Sequence, residues 1–170
     1  MRTPEETVRA VAAGVCRLMR GGLTAAEETA QIDELAACYA ERTYVRHPFN
    51  PVGDTPLSSR ARVREHFGSG GCPAGVERYD VVDDHVYPTP DPEVVIFEFR
   101  YAGVVDGRAF TLPCIFVVRV RDGEIVESRD YVDHVAGARA FGRLPALTAA
   151  LTAAQVGDHR RTSTGNSVVE

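Results

Sequence analysis

Ile125-Val126-Glu127-Ser128-Arg129-Asp130-Tyr131-Val132-Asp133-His134 is the stretch from which the rest of the chain can be read. Asp122-Gly123 stands just before it, and an Ala-rich, helix-prone segment follows. An Asp-Gly pair between β-rich runs supplies the two positive-φ residues of a tight hairpin, so the stretch reads as a strand paired with Arg108–Arg121. Upstream, Asp106-Gly107 repeats the signal and joins Arg108–Arg121 to the run 93–103. These long strands form a meander, with 76–87 as a further strand behind the turn Pro88-Thr89-Pro90-Asp91-Pro92. In the middle strand Phe110, Leu112, Cys114, Phe116, Val118 and Val120 share one face, with Ile115 and Val117 on the other. Apolar residues on both faces ask for two covers, a core on one side and a second copy of the chain on the other.

The N-terminal third is helical. Thr3-Pro4-Glu5-Glu6 is a capping box with proline at the first helical position, and Val8, Val11, Ala12, Val15, Leu18 and Met19 recur at helical spacing until Gly21-Gly22. Thr24 to Glu27 repeats the box and opens a second helical region, in one piece or two, running to Tyr39-Ala40 with Ile32, Leu35, Ala36 and Tyr39 inward. Thr43 to His47 is a short strand closed by Pro48, with Thr43, Val45 and His47 on one face. A Pro/Gly loop at 50–56 borders a pocket mouth, Ser58 or Ser59 caps a short helix to Phe67, and 68–75 is a flexible connector. A short helix over 145–156 ends a single domain spanning 1–156, and 157–170 reads as a disordered polar tail.

Composition excludes several function classes. A net charge of −5 lacks the basic footprint that phosphate contacts need, so nucleic acid is not the partner. No apolar run approaches the ~20 residues of a membrane helix and no signal-like start is visible, so a cytoplasmic, non-membrane protein is expected. Cys16, Cys38, Cys72 and Cys114 form no C-x-x-C and read as small core residues. All 19 basic residues are arginine, which excludes a lysine Schiff base. Asp83-Asp84-His85 lacks the further ligands that a metal site needs, so neither metal nor cofactor is expected.

Tyr39-Ala-Glu-Arg-Thr-Tyr-Val-Arg-His-Pro-Phe49 and Asp122-Gly-Glu-Ile-Val-Glu-Ser-Arg-Asp-Tyr131 resemble the NTF2-like superfamily over about residues 4–145. This superfamily includes ketosteroid isomerase, limonene epoxide hydrolase, SnoaL-type polyketide cyclases and the PhzA/PhzB-type phenazine proteins. The resemblance implies an α+β cone, a curved mixed/antiparallel sheet wrapped around N-terminal helices. The fold hosts catalysts and inert binding proteins alike. His47-Pro48-Phe49 stands where ketosteroid isomerase carries its base aspartate, and Tyr39 matches a tyrosine of that enzyme's hydrogen-bond network. Its two oxyanion donors fall at Val15 and Phe116, which cannot donate, so classical steroid isomerisation is not implied. Arg129-Asp130-Tyr131 resembles the end of the epoxide hydrolase sheet. That enzyme's remaining ion pair falls at Phe97 and Phe99 without a gap, or at Glu98 and Arg100 with a one-residue shift. In SnoaL-type cyclases the aspartate at Asp130 is the base.

The expected site is therefore Asp130, His47 and Tyr39 as catalytic groups, with Val15, Phe67, Phe97, Phe99, Cys114, Phe116, Ser128 and Val132 around a small apolar ligand. Alternation leaves both faces open for Asp130, because Ser128, Asp130 and Val132 are no more apolar than Ile125, Arg129 and Tyr131; the resemblance places it inward. An inward Asp130 next to His47 would favour the protonated imidazole and let it exchange protons near neutral pH. His66, His134 and His159 read as surface residues. The resulting function is a cofactor-free isomerase, cyclase or dehydratase of an apolar metabolite in bacterial natural-product metabolism, working as a homodimer through the convex sheet face. The alternatives are a non-catalytic carrier or sensor with the same pocket, and a dimeric scaffold.

Overall fold

The computed structural model describes residues 2–70 and 73–163. Two helices open the chain, α1 (Pro4–Met19) and α2 (Ala25–Ala36). Each starts on a complete capping box, in which the threonine hydroxyl accepts a backbone N–H and a glutamate carboxylate reaches back to the cap: Thr3 with Glu6, Thr24 with Glu27. Between them Gly21 and Gly22 both take positive φ, which ends α1 and reverses the chain. Where the helices cross, Gly14 lets α2 approach so closely that any side chain there would run into Leu35.

Strand β1 (Tyr39–Arg46) follows, then α3 (Arg60–Ser69), capped by Ser59. The second helical region thus ends at Ala36 rather than at Tyr39-Ala40: Cys38 Sγ turns back onto the Glu34 carbonyl, and the Cys38 carbonyl accepts from Ile125 N–H, committing Tyr39 to the sheet. The remaining strands are β2 (Val76–Pro88), β3 (Val94–Val105), β4 (Arg108–Arg121) and β5 (Glu124–Val132), and the chain ends in α4 (His134–Ala140) and α5 (Leu144–Ser163). The last helix runs past the expected Val156, and residues 164–170 and Cys72 lie outside the described residues.

The five strands form one curved, unclosed mixed sheet in the order β1-β5-β4-β3-β2. β5 is parallel to β1 and antiparallel to β4, and the other pairings are antiparallel. Both Asp-Gly turns have positive φ at each central residue, 47° and 71° at Asp106-Gly107, 53° and 81° at Asp122-Gly123, the primed geometry that matches strand twist. The helices cover one face, over a core that includes Val8, Val11, Leu35, Val63, Phe97, Phe99, Val118 and Ile125. Cys16, Cys38 and Cys114 sit in it as free, buried thiols. The architecture is the NTF2-like cone.

Candidate active site

On β5 Ile125, Ser128 and Asp130 are buried, while Arg129 is exposed, so Asp130 is turned to the helix side of the sheet. Its cross-strand neighbour on β4 is Phe116, whose ring meets Phe99 edge-on at 5.0 Å. The Ser128 hydroxyl donates to Asp130 Oδ1. Burial pushes the Asp130 carboxyl up to about 7, against the smaller downward pull of that hydrogen bond.

β1 runs alongside β5 with Val45 beside Ser128 and Arg46 beside Arg129, so the next residue, His47, emerges level with Asp130. Its backbone is pinned from both sides. The N–H donates to Asp54 Oδ1 at 2.9 Å, and the carbonyl accepts from Asn50 N–H at 2.9 Å. His47 Nε2 then lies 4.0 Å from Asp130 Oδ2, with 16% of the histidine side chain and 11% of the aspartate side chain still exposed. Both groups are therefore largely buried with a small exposed edge, and Asp130, His47 and Tyr39 border none of the described cavities. The expectation of a protonated imidazole is not met. Burial, then the neighbouring His66 and His134, push His47 down to about 4, and the charge of Asp54 opposes this only weakly. Desolvation of both partners outweighs their mutual attraction, leaving a neutral carboxyl and a neutral imidazole between about pH 4 and 7.

Tyr39 opens β1 and is buried, with its carbonyl held by Arg60 Nε at 2.7 Å. Its phenol is held well above the usual range by burial and then by the charge of Asp130, which places a neutral donor within that carboxylate's field.

Around these groups, Phe97 and Phe99 stack at 4.4 Å with almost no exposure, and Val15, Phe67, Phe116 and Val132 are half-buried against the core. Of the expected lining residues, Val15, Phe67, Phe97, Phe116 and Ser128 border none of the described cavities. The largest described cavity, about 800 Å³, lies on the outer face of the sheet instead. Glu98, Ile115 and Tyr131, cross-strand neighbours, form one row of it; Phe99, Cys114 and Val132 form the next.

Of the histidines expected on the surface, His66 is exposed and His134 is half-buried, and both lie near His47. The His66 ring lies 5.3 Å from that of His47, and His134, which follows β5, has its Nε2 buried without a hydrogen-bond partner. A signal for His66 existed, since it follows Val63 by three positions on α3; none pointed to His134. The side chain of His159 lies outside the described residues. Asp83 and His85 do border the same outer cavity, while Asp84 pairs with Arg9 of α1. Among the described residues no cluster of His, Cys, Asp and Glu could hold a metal ion, and no helix is long and apolar enough to cross a membrane. A buried carboxyl that titrates near neutrality can both take and return a proton, which is the requirement for general acid–base work.

The family model described as "SnoaL-like domain" matches residues 21–128. Among curated proteins none matches the chain. Solved structures do. A proposed isomerase from Bacillus subtilis is 22% identical with a TM-score of 0.65, covering 82% of this chain and 93% of its own. A protein of ketosteroid isomerase-like fold from Catenulispora acidiphila, bound to trimethylamine, is 21% identical with a TM-score of 0.56, covering 83% and 95%. A proposed polyketide cyclase from Pseudomonas putida is 15% identical with a TM-score of 0.59, covering 83% and 99%. At such identities the likeness speaks for the fold.

Proposed function

The chain belongs to the SnoaL-like domain family, within the NTF2-like superfamily, and on that premise we propose that it is a cofactor-free acid–base catalyst, an isomerase, cyclase or dehydratase of a small, largely apolar, enolisable metabolite. The observation that carries this reading is the Asp130 carboxyl, buried beside Phe116, balanced near pH 7 and 4.0 Å from His47. In the reaction Asp130, as carboxylate, removes a proton from the carbon next to the substrate carbonyl and returns it at a second position. Neutral His47 accepts or donates a hydrogen bond to the migrating group, and the Tyr39 phenol, held neutral, donates to the developing oxyanion. Proton transfer by such a positioned group contributes roughly 10²–10⁴ in rate.

The test is deuterium uptake. A panel of apolar cyclic ketones is incubated in D₂O and followed by proton NMR; the wild type accelerates exchange next to the carbonyl, and Asp130→Asn abolishes it. Equal exchange by wild type and Asp130→Asn, or none with the wild type, sinks the catalytic role. The second reading, an apolar-ligand carrier, is favoured by Phe116 beside the carboxyl, which offers no donor to an enolate. Saturable ketone binding without exchange selects it. Either reading has a second copy of the chain covering the outer sheet face, where exposed Phe49, Tyr87, Ile115 and Val135 gather.

A further inference from the structure

The chain leaves β5 two residues after Asp130, passes through α4, and turns at Gly142 (φ 65°) into α5. Between the first half of α5 and the loop that follows His47 is a cleft of about 450 Å³, within the range of ~300–1,000 Å³ typical of ligand sites. Ala146, Leu147 and Ala150 of α5 form one wall, and Pro51 and Val52 face them. Its floor is Val132, the next residue after Asp130 on the same side of β5. At the inner end stand Asn50, whose N–H holds the His47 carbonyl, and His134, close enough to depress the His47 imidazole. The cleft therefore adjoins the two segments that carry the dyad, while Asp130 and His47 themselves lie behind its lining.

We propose that this cleft is the entrance and specificity subsite of the Asp130–His47 site, with α5 as its selecting wall; the proposal rests on the acid–base reading above and names its substrate class. The occupant is the apolar body of the substrate, lying between Val52 and Leu147 while its polar, reacting end reaches toward Asp130. Alanine at 146 and 150 decides the width. Val52, Val132, Phe141 and Leu147 line it as well, so the substrate body admitted is an apolar ring or branched chain, with Asp133 and Arg143 on the same lining available to its polar groups.

Access can be measured without knowing the substrate. Diethyl pyrocarbonate carbethoxylates neutral imidazole, and peptide mapping by mass spectrometry gives the rate at each histidine of the full-length protein. Ala150→Trp projects an indole into the cleft, whereas Ala149→Trp, on the same helix, borders none of the described cavities; both alanines are exposed, so neither change disturbs the core. Ala150→Trp is expected to slow modification of His47 by roughly tenfold, with Ala149→Trp and the exposed His85 unchanged. An unchanged His47 rate in Ala150→Trp, or equal slowing by Ala149→Trp, overturns the proposal. Carbon-13 NMR of Asp130 keeps the two readings apart. An unblocked His47 with Asp130 titrating near 7 removes the entrance and leaves the dyad, whereas a blocked His47 with Asp130 titrating as an ordinary carboxyl removes the dyad and leaves the entrance.

Discussion

Asp130 and His47 bind protons in opposite senses across one pH window, and this has a consequence for stability. Folding raises the Asp130 carboxyl from the usual 3.8 to about 7, so its contribution is fully present below the unfolded value and is lost as pH rises through 7. His47 is depressed from 6.5 to about 4, so its contribution is present above 6.5 and lost as pH falls through 4. The shifts correspond to about 4 kcal/mol for Asp130 and about 3 kcal/mol for His47, and in the wild type the slopes oppose one another between pH 4 and 7. Single variants separate them. Asp130→Asn is expected to melt higher than wild type at pH 8, with the gain vanishing toward pH 4; His47→Gln is expected to lose stability as pH rises from 4 to 7. Thermal melts across that range decide it, and a constant offset between Asp130→Asn and wild type would contradict the raised carboxyl. Removing the Ser128 hydroxyl in Ser128→Ala should move the Asp130 titration further up, read by carbon-13 NMR, at a stability cost of about 1 kcal/mol. The inward face of Asp130 was undecidable from alternation because its own row and the opposite row are equally polar. Parallel pairing of β1 with β5 resolves it, a contact between segments more than 80 residues apart that no local pattern encodes.

At the scale of elements, local chemistry was decisive wherever it was complete. The two capping boxes and the two Asp-Gly turns each satisfy their own backbone donors or dihedrals within four residues, so α1, α2 and the β3-β4-β5 meander could be read directly. The end of α2 could not, because Tyr39 continues its apolar stripe and only the sheet, through Ile125, draws it away. Glycines in one hairpin separate dihedral from packing demands. Gly107 has φ of 71° and open space around it, so Gly107→Ala should cost about 1 kcal/mol of left-handed strain. Gly103 lies opposite Tyr79 and Phe110, and a methyl there would strike the Arg78 carbonyl oxygen and the Phe110 ring. Backbone cannot yield as a side chain can, so Gly103→Ala should cost about 3 kcal/mol or more. Urea denaturation of the two variants ranks them; equal midpoints would mean that β2 is free to move away from β3 at this point.

For the molecule as a whole, the helices take one face of the sheet into the core and leave the other face to be explained. Four of its large apolar side chains, Phe49, Tyr87, Ile115 and Val135, are exposed, and Phe49 meets Tyr131 edge-on at 5.1 Å across the groove. Asp83, Glu98 and Arg100 beside them carry both signs of charge. A patch with an apolar centre and mixed charges can be self-complementary about a two-fold axis when each charge meets its opposite on the second copy. A sheet face can supply about 800 Å² per partner, the size of a stable interface. Ile115 is 42% exposed and sits mid-strand, so Ile115→Glu puts two like charges near the axis without touching the core. Sedimentation should find two-chain wild type at micromolar concentration and a single-chain Ile115→Glu with an unchanged circular dichroism spectrum. A wild type that sediments as one chain would leave the groove as a ligand surface rather than a subunit contact, and Ile115→Glu would then alter ligand binding and not mass.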